Sequence, residues 1–323
     1  MIGDILDSYP LSPQSSGLNI SGNRVSGKIM AAKESKEEKK RLQLTARLIE
    51  NLAMPSRPDV LLDALRAQTG FAPDPLEITN LIVNDMALSA AVLHAANTQL
   101  SGWKRKLMSI EGAVALLGLE RVRTIVSEQF LSAALVTQDG PLQTVRLRGV
   151  EAGRTAARLA RELPKIAPHY LNGYLPTVAP DEAYAVGLLH DCGLVAMMRG
   201  FPDYMGFCQE MHRKGEIDLM AAENEHFGTN HGLAGSLMVE SWRLPLSVCR
   251  IIRTHHQIDD FNRPGQKLRN LHDTVLRAII HLAASVCGGG SVTEWQTVEE
   301  RIAAFFGMET AQLEQLRLNT GGQ

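Results

Sequence analysis

Apolar residues recur at helical spacing along the chain, and this periodicity is the feature that most limits its fold. In two stretches, DMALSAAVLHAAN and SIEGAVALLGLERVRTIV, apolar side chains fall at i, i+3, i+4 and i+7, which gives each helix one packed face. These positions are Leu88, Ala91, Val92 and Ala95 in the first stretch, and Ile110, Ala113, Val114 and Leu117 in the second. We find no sustained period-two alternation in the sequence, so we predict an all-α fold.

The composition, and residues that commonly start or end helices, support this prediction. Aromatic residues make up only 5% of the chain, so the core must consist mainly of aliphatic side chains, which is typical of helix bundles. Ser109 precedes an apolar-periodic stretch and is a plausible N-cap, and Gly118 marks a helix end or a hinge between helices.

We expect four regions in the 323 residues. Residues 1–40 are rich in Ser, Gly and Asn and end in the mixed-charge run KESKEEKKR, so we predict a flexible tail whose charged end leads into a helix. Residues 41–136 form one helical half of the body and residues 144–260 form a second, with a short polar break between them. Residues 268–318 add two or three C-terminal helices that we expect to pack on the second half.

Charge and hydropathy exclude several classes of partner. The formal net charge is −2, so the chain has no overall electrostatic attraction to nucleic acid or to an anionic membrane. No apolar run is long enough to span a bilayer, and the first residues lack the pattern of a signal peptide. The four cysteines form no CxxC motif, which favours a reducing compartment, and we expect a cytoplasmic protein.

A set of histidines carries the candidate chemistry. His190 and Asp191 are adjacent in the apolar run AVGLLHDCGL, and His231 starts a helix that Thr229 or Asn230 can cap. His255 continues the apolar face of the following helix, and His256 adjoins it. Together these residues offer nitrogen and oxygen donors that suit Fe, Mn or Zn. A single buried histidine is more often a hydrogen-bonded core residue, and the spacing here matches no compact metal motif.

No other catalytic set is evident in the sequence. It contains neither a GxSxG nucleophile elbow nor a phosphate-binding P-loop. Cys192 adjoins the His190–Asp191 pair, but it lies in an apolar helix, so we interpret it as an inert core thiol.

The segments AYAVGLLHDCGLVAM and ENEHFGTNHGLAGSLMVESWRLPLSVCRIIRTHH resemble the HDOD family, the HD-related output domains of bacterial signalling. The upstream segment IVNDMALSAAVLHAANTQLSGWKRKLMSIEGAVALLGLERVRTIV is similar to the N-terminal half of that domain. The resemblance covers residues 44–260. It implies a multi-helix bundle related to the HD metal-dependent phosphohydrolases and to the HD-GYP phosphodiesterases that cleave cyclic di-GMP.

The resemblance also implies that the HD metal site is degenerate. An HD enzyme uses a His, the His-Asp pair and a distal Asp, and the alignment puts Gly149 and Ala284 at the first and last of these positions. His231, His255 and His256 match extra histidines of HD-GYP-like and HDOD sequences, but the GYP motif is absent. We therefore expect no catalytic residue and no bound metal. A metal that did bind would be Fe, Mn or Zn, held by His190, Asp191, His231 and His255.

These observations favour a non-enzymatic regulatory module of bacterial signal transduction. We identify no receiver, GGDEF or sensor domain in the sequence, so its partner is expected to be a signalling protein in trans. The main alternative is a metal-dependent phosphohydrolase or cyclic-dinucleotide phosphodiesterase that uses a rearranged histidine site. A weaker alternative is a nucleotide or cyclic-dinucleotide sensor without hydrolysis, using basic residues such as Arg158 and Arg253.

Overall fold

The computed structural model describes residues 24–50, 75–100, 106–134, 140–214, 218–242, 244–257, 271–287 and 292–320. Within these ranges the chain forms fifteen helices and no strand, which confirms the predicted all-α class. The helices are α1 Arg24–Ile49, α2 Pro75–Val83, α3 Met86–Gln99, α4 Ile110–Ala134, α5 Gly140–Ile166, α6 Pro168–Leu171, α7 Pro180–Leu189, α8 Gly193–Gly200, α9 Tyr204–Lys214, α10 Leu219–Phe227, α11 His231–Ser241, α12 Leu246–Thr254, α13 Leu271–Val286, α14 Val292–Phe306 and α15 Thr310–Thr320.

Helix α1 begins at Arg24, inside the stretch that the sequence assigned to a flexible tail. Residues 24–40 are therefore helical, whereas residues 1–23 lie outside the described residues. The mixed-charge run explains the difference, because Lys, Glu and Arg are good helix formers and Glu37 lies four residues before Arg41. Beyond this run, the buried Leu42 and Ala46 anchor the helix to the body.

Side-chain caps start several of the helices at the positions that the sequence indicates. The Ser109 hydroxyl accepts a hydrogen bond from the Gly112 amide (3.2 Å), and Asn230 accepts one from the Leu233 amide (2.7 Å). Gly118 interrupts α4 with φ of 72° and ψ of 160°, a left-handed conformation that favours glycine. The predicted hinge at this glycine is thus confirmed.

The helices pack in two groups around one large apolar core, with two smaller apolar clusters beside it. Helices α2, α3 and α4 contact one another, and α3 joins them to α5. In the second group α5 packs along α7, α13 covers both, and α11 packs between α8 and α12. Helix α1 lies on α8 and α11, while α14 and α15 pack on α13.

A close glycine contact joins α8 to α11. A Cβ atom at Gly193 would lie only 2.5 Å from the Gly235 amide nitrogen and 2.8 Å from the His231 carbonyl carbon. Only a residue without a side chain lets these two backbones approach so closely. The contact brings the turn that carries Asp191 against the first turn of α11.

None of the described helices is both long enough and apolar enough to cross a bilayer.

Candidate functional site

Four of the residues that the sequence singled out meet at the ends of three helices. Asp191 lies in the turn between α7 and α8, His231 is the first residue of α11, and His255 and His256 follow α12. One ligand atom from each residue lies within 4.8 Å of those of the other three. These four residues and His190 make up what we call the histidine cluster: His190, Asp191, His231, His255 and His256. His190, His231 and His255 are buried, and His256 is half-buried.

Backbone and carboxylate acceptors orient three of the rings. Nδ1 of His190 donates to the Gly187 carbonyl (2.8 Å), and Nδ1 of His255 donates to the Ile252 carbonyl (2.7 Å). Nδ1 of His231 donates to the Glu223 carboxylate (2.8 Å). A carbonyl or carboxylate oxygen only accepts, so Nδ1 carries the proton in each ring. The Nε2 atoms are thereby left to face the centre of the cluster.

The inward-facing atoms lie close together. Nε2 of His231 is 3.4 Å from Nε2 of His255 and 3.1 Å from Nε2 of His256. One oxygen of Asp191, Oδ1, is 3.4 Å from Nε2 of His255, and the other, Oδ2, is 3.3 Å from Nε2 of His190. The cluster thus places several nitrogen lone pairs and a carboxylate around one small volume.

Charge is unevenly shared in the histidine cluster. Burial alone would raise the pKa of Asp191, but His190 and His255 outweigh it and hold that pKa well below its usual range. Burial disfavours charge on His190 as well, yet the adjacent Asp191 raises the pKa of this imidazole. Burial and the neighbouring His256 lower the pKa of His255 to about 3, so its ring is neutral at neutral pH.

Glu223 of α10, which was not among the residues predicted from the sequence, supports the cluster. Its carboxylate is fully buried and accepts hydrogen bonds from Nδ1 and the backbone amide of His231 and from the hydroxyl of Tyr204, which is also fully buried. Burial would raise the pKa of Glu223, but His231 and these hydrogen bonds outweigh it and keep the pKa below its ordinary value. The segment AAENEHF has the mixed composition of an exposed helix, so its burial was not predicted. The sequence signal for this contact is a Glu eight residues before His231, the first residue of a helix that Asn230 caps.

A small cavity of about 30 Å³ adjoins the cluster. Its lining consists of His190, Asp191, His255 and His256 on one side and of residues from α13 and α14 on the other: Ile280, His281, Ala284, Ser285, Trp295 and Val298. This volume holds one water molecule or ion, and it is far smaller than the roughly 300–1,000 Å³ of ordinary ligand pockets. Ala284, one of the two positions at which the sequence predicts that a metal ligand is missing, lies on the cavity wall.

Other residues named from the sequence lie apart from the cavity. Arg253 pairs with Glu38 of α1 at 3.4 Å, and neither it nor Arg158 belongs to the cavity lining. Cys192 is fully buried, and burial raises the pKa of its thiol, which agrees with an inert core residue.

The HDOD domain model matches residues 54–258, more than half of the chain. The chain belongs to the HDOD family. A protein of Treponema pallidum described only as uncharacterized is 23% identical to this HDOD chain over 205 residues. The match takes in 64% of this chain but only 38% of the relative, so the chain spans about two fifths of the length of the curated relative that it matches.

Two solved structures share the fold of this chain. The MmoQ response regulator from Methylococcus capsulatus superposes with a TM-score of 0.58 at 22% identity, covering 83% of this chain and 98% of MmoQ. A virulence factor from Campylobacter jejuni gives a TM-score of 0.54 at 16% identity, covering 86% of this chain and 98% of that protein. At these identities the likeness concerns the fold alone.

The residues at the HD positions fit the metal centre of an HD hydrolase only in part. A Cβ atom at Gly149 would point at the Leu188 carbonyl oxygen (2.6 Å) and overlap the Met86 side chain, so no donor side chain fits there. Ala284 faces the cavity but supplies only a methyl group. The ligand set of His, His-Asp and distal Asp is therefore incomplete, whereas Asp191 and the three later histidines form a group that could hold one ion.

Proposed function

We propose that this HDOD chain is a regulatory module of bacterial signal transduction, which acts through a protein partner and does not hydrolyse phosphoesters. The observation that carries the proposal is the pair of outer positions, where Gly149 has no room for a ligand and Ala284 has no donor atom. Hydrolysis by an HD-type centre needs a metal-activated water and metal contacts to the phosphate. The chain has lost the residues that would hold such a centre together.

The size of the cavity supports the same proposal. About 30 Å³ beside the cluster accommodates a water molecule, but not a phosphodiester and its two substituents. Arg253, which the nucleotide-sensor alternative would use, is engaged by Glu38. The fold of the MmoQ response regulator, similar over most of this chain, is consistent with a role in signalling.

The main alternative, a metal-dependent phosphohydrolase, draws its support from the histidine cluster, so a hydrolysis assay is the direct test. The purified chain, supplied in turn with Mn²⁺, Fe²⁺ and Zn²⁺, is incubated with bis(p-nitrophenyl) phosphate and with cyclic di-GMP. We expect no turnover above the metal-only control. Turnover that disappears in His190→Ala or Asp191→Ala would establish the hydrolase and overturn the proposal.

The partner half of the proposal needs its own measurement. Proteins crosslinked to the chain in cells are purified and tested for reversible binding to the purified chain. A partner qualifies only if its own output activity changes when the HDOD chain binds. If each purified candidate binds without any change in output, action through a protein partner is wrong.

A further inference from the structure

We infer that Asp191, His231, His255 and His256 bind a single divalent transition-metal ion, with His190 outside the ligand set and Glu223 as a positioning residue. From the sequence we expected no bound metal and, if one did bind, a ligand set that counted His190 and left out His256, so this inference departs from that expectation on both points. The inference goes beyond the proposed function, because a metal can be bound whether or not the chain acts on a partner.

The inward-facing atoms of the cluster are arranged to share a cation. Nδ1 of His255 donates to the Ile252 carbonyl, which turns Nε2 of the same ring inward. This Nε2 atom faces Oδ1 of Asp191 and Nε2 of His231, each at 3.4 Å. Lone pairs that face one another in a buried site repel unless a proton or a metal ion lies between them.

The distances between the ligand atoms suit a small coordination shell. A tetrahedral ion with ligand bonds of about 2.1 Å holds its donor atoms about 3.4 Å apart. Three of the six distances between the ligand atoms are 3.1, 3.4 and 3.4 Å, and all six are within 4.8 Å. The side chains are thus already spaced along three edges of such a shell.

Hydrogen bonds around the cluster hold the rings of His231 and His255 in orientations that suit metal ligands. Histidines that bind metals commonly donate their other ring nitrogen to a carboxylate or a backbone carbonyl, which fixes the ring orientation and raises the basicity of the ligand. His231 donates to Glu223, which Tyr204 holds in turn, and His255 donates to a carbonyl. His190 contacts Oδ2 of Asp191 and so orients the oxygen Oδ1 toward the other histidines.

The test is a titration of the full chain with Co²⁺ after treatment with a chelator. Visible absorption of Co²⁺ is strong in four-coordinate sites and weak in six-coordinate ones, so it reports both affinity and geometry. We expect strong bands that saturate at one ion per chain. Asp191→Asn and His256→Ala should abolish the bands, and Glu223→Gln should weaken binding about 10- to 100-fold. His226→Ala is the matched control, since His226 lies on the same helix as Glu223 but is exposed.

The outcomes are distinct. A folded wild-type chain that develops no bands overturns the inference and points to histidines that share protons instead. Bands of equal strength in Asp191→Asn and His256→Ala overturn it as well, because the ion would then sit elsewhere. Circular dichroism in chelator shows whether each variant folds, and Glu223→Gln, which keeps the size of the side chain, provides an independent measurement. Phosphoester hydrolysis by the metal-loaded chain would refute the proposed function and leave the metal site standing.

Discussion

Replacing Gly193 by alanine should separate α8 from α11, whose close approach helps to bring the members of the histidine cluster together. The new Cβ would lie 2.5 Å from the Gly235 amide nitrogen and 2.8 Å from the His231 carbonyl carbon, and closer still to the His231 carbonyl oxygen; all three are backbone atoms that cannot swing aside. Ordinary contacts of this kind are about 3.5 Å, so α8 and α11 must move apart by at least about 1 Å. Overpacking of a core costs about 1–3 kcal/mol, and a clash against a helix backbone lies at the upper end, about 3 kcal/mol.

Gly206 is the matched control for this substitution. It lies in α9, and a Cβ atom there meets nothing within 4 Å. Alanine inside a helix is favoured over glycine, so Gly206→Ala should stabilise the chain by about 0.5–1 kcal/mol. Urea unfolding followed by circular dichroism measures both variants. A Gly193→Ala chain within about 0.5 kcal/mol of the wild type would refute the reasoning, because it would mean that the backbones can separate freely.

Three further predictions concern the support of the cluster and of α1. Glu223→Ala leaves three donors from His231 and Tyr204 without their acceptor, so it should lower the free energy of unfolding in urea by at least about 3 kcal/mol. Glu223→Gln can still engage all three groups and should lower it by only about 1–2 kcal/mol. Equal losses in the two variants would contradict this account. If the metal binds, Zn²⁺ at 100 times its dissociation constant should stabilise the chain by about 2.7 kcal/mol. This is measured as a rise in Tm that a chelator reverses, and an unchanged Tm would count against binding. Leu42→Ala should weaken the packing of α1 on Leu233 and Leu237 and lower the stability of that packing by about 2–4 kcal/mol. Hydrogen exchange should then be faster in α1 than in α13. Uniform exchange would show that α1 is not an independent unit.

Local chemistry made much of the fold predictable. Apolar spacing gave the helices, and the side chains of Ser109 and Asn230 marked two of their starts because a cap needs only a few neighbouring residues. The sequence predicted that the charged end of residues 1–40 leads into a helix, but not that this helix begins as early as Arg24, since mixed charge is typical both of a solvated tail and of an exposed helix. The packing of Leu42 on α11 decides between the two, and that contact depends on distant residues.

The candidate site was only partly predictable for a similar reason. The sequence named His231, His255 and His256, but could not tell which ring nitrogens converge. Glu223 is polar, lies in a helix of mixed composition and becomes fully buried only through its contact with His231 and Tyr204. The spacing of eight residues between Glu223 and His231 is compatible with this contact but does not by itself specify it.

The cluster also has a consequence for the order of folding. Its members come from the turn after α7, the start of α11 and the end of α12, so they meet only once these elements have docked. Contacts between segments far apart in sequence require long loops to close first. An ion that needs all four ligands would thus recognise only the finished chain, and its binding would report the last step of assembly rather than guide the first.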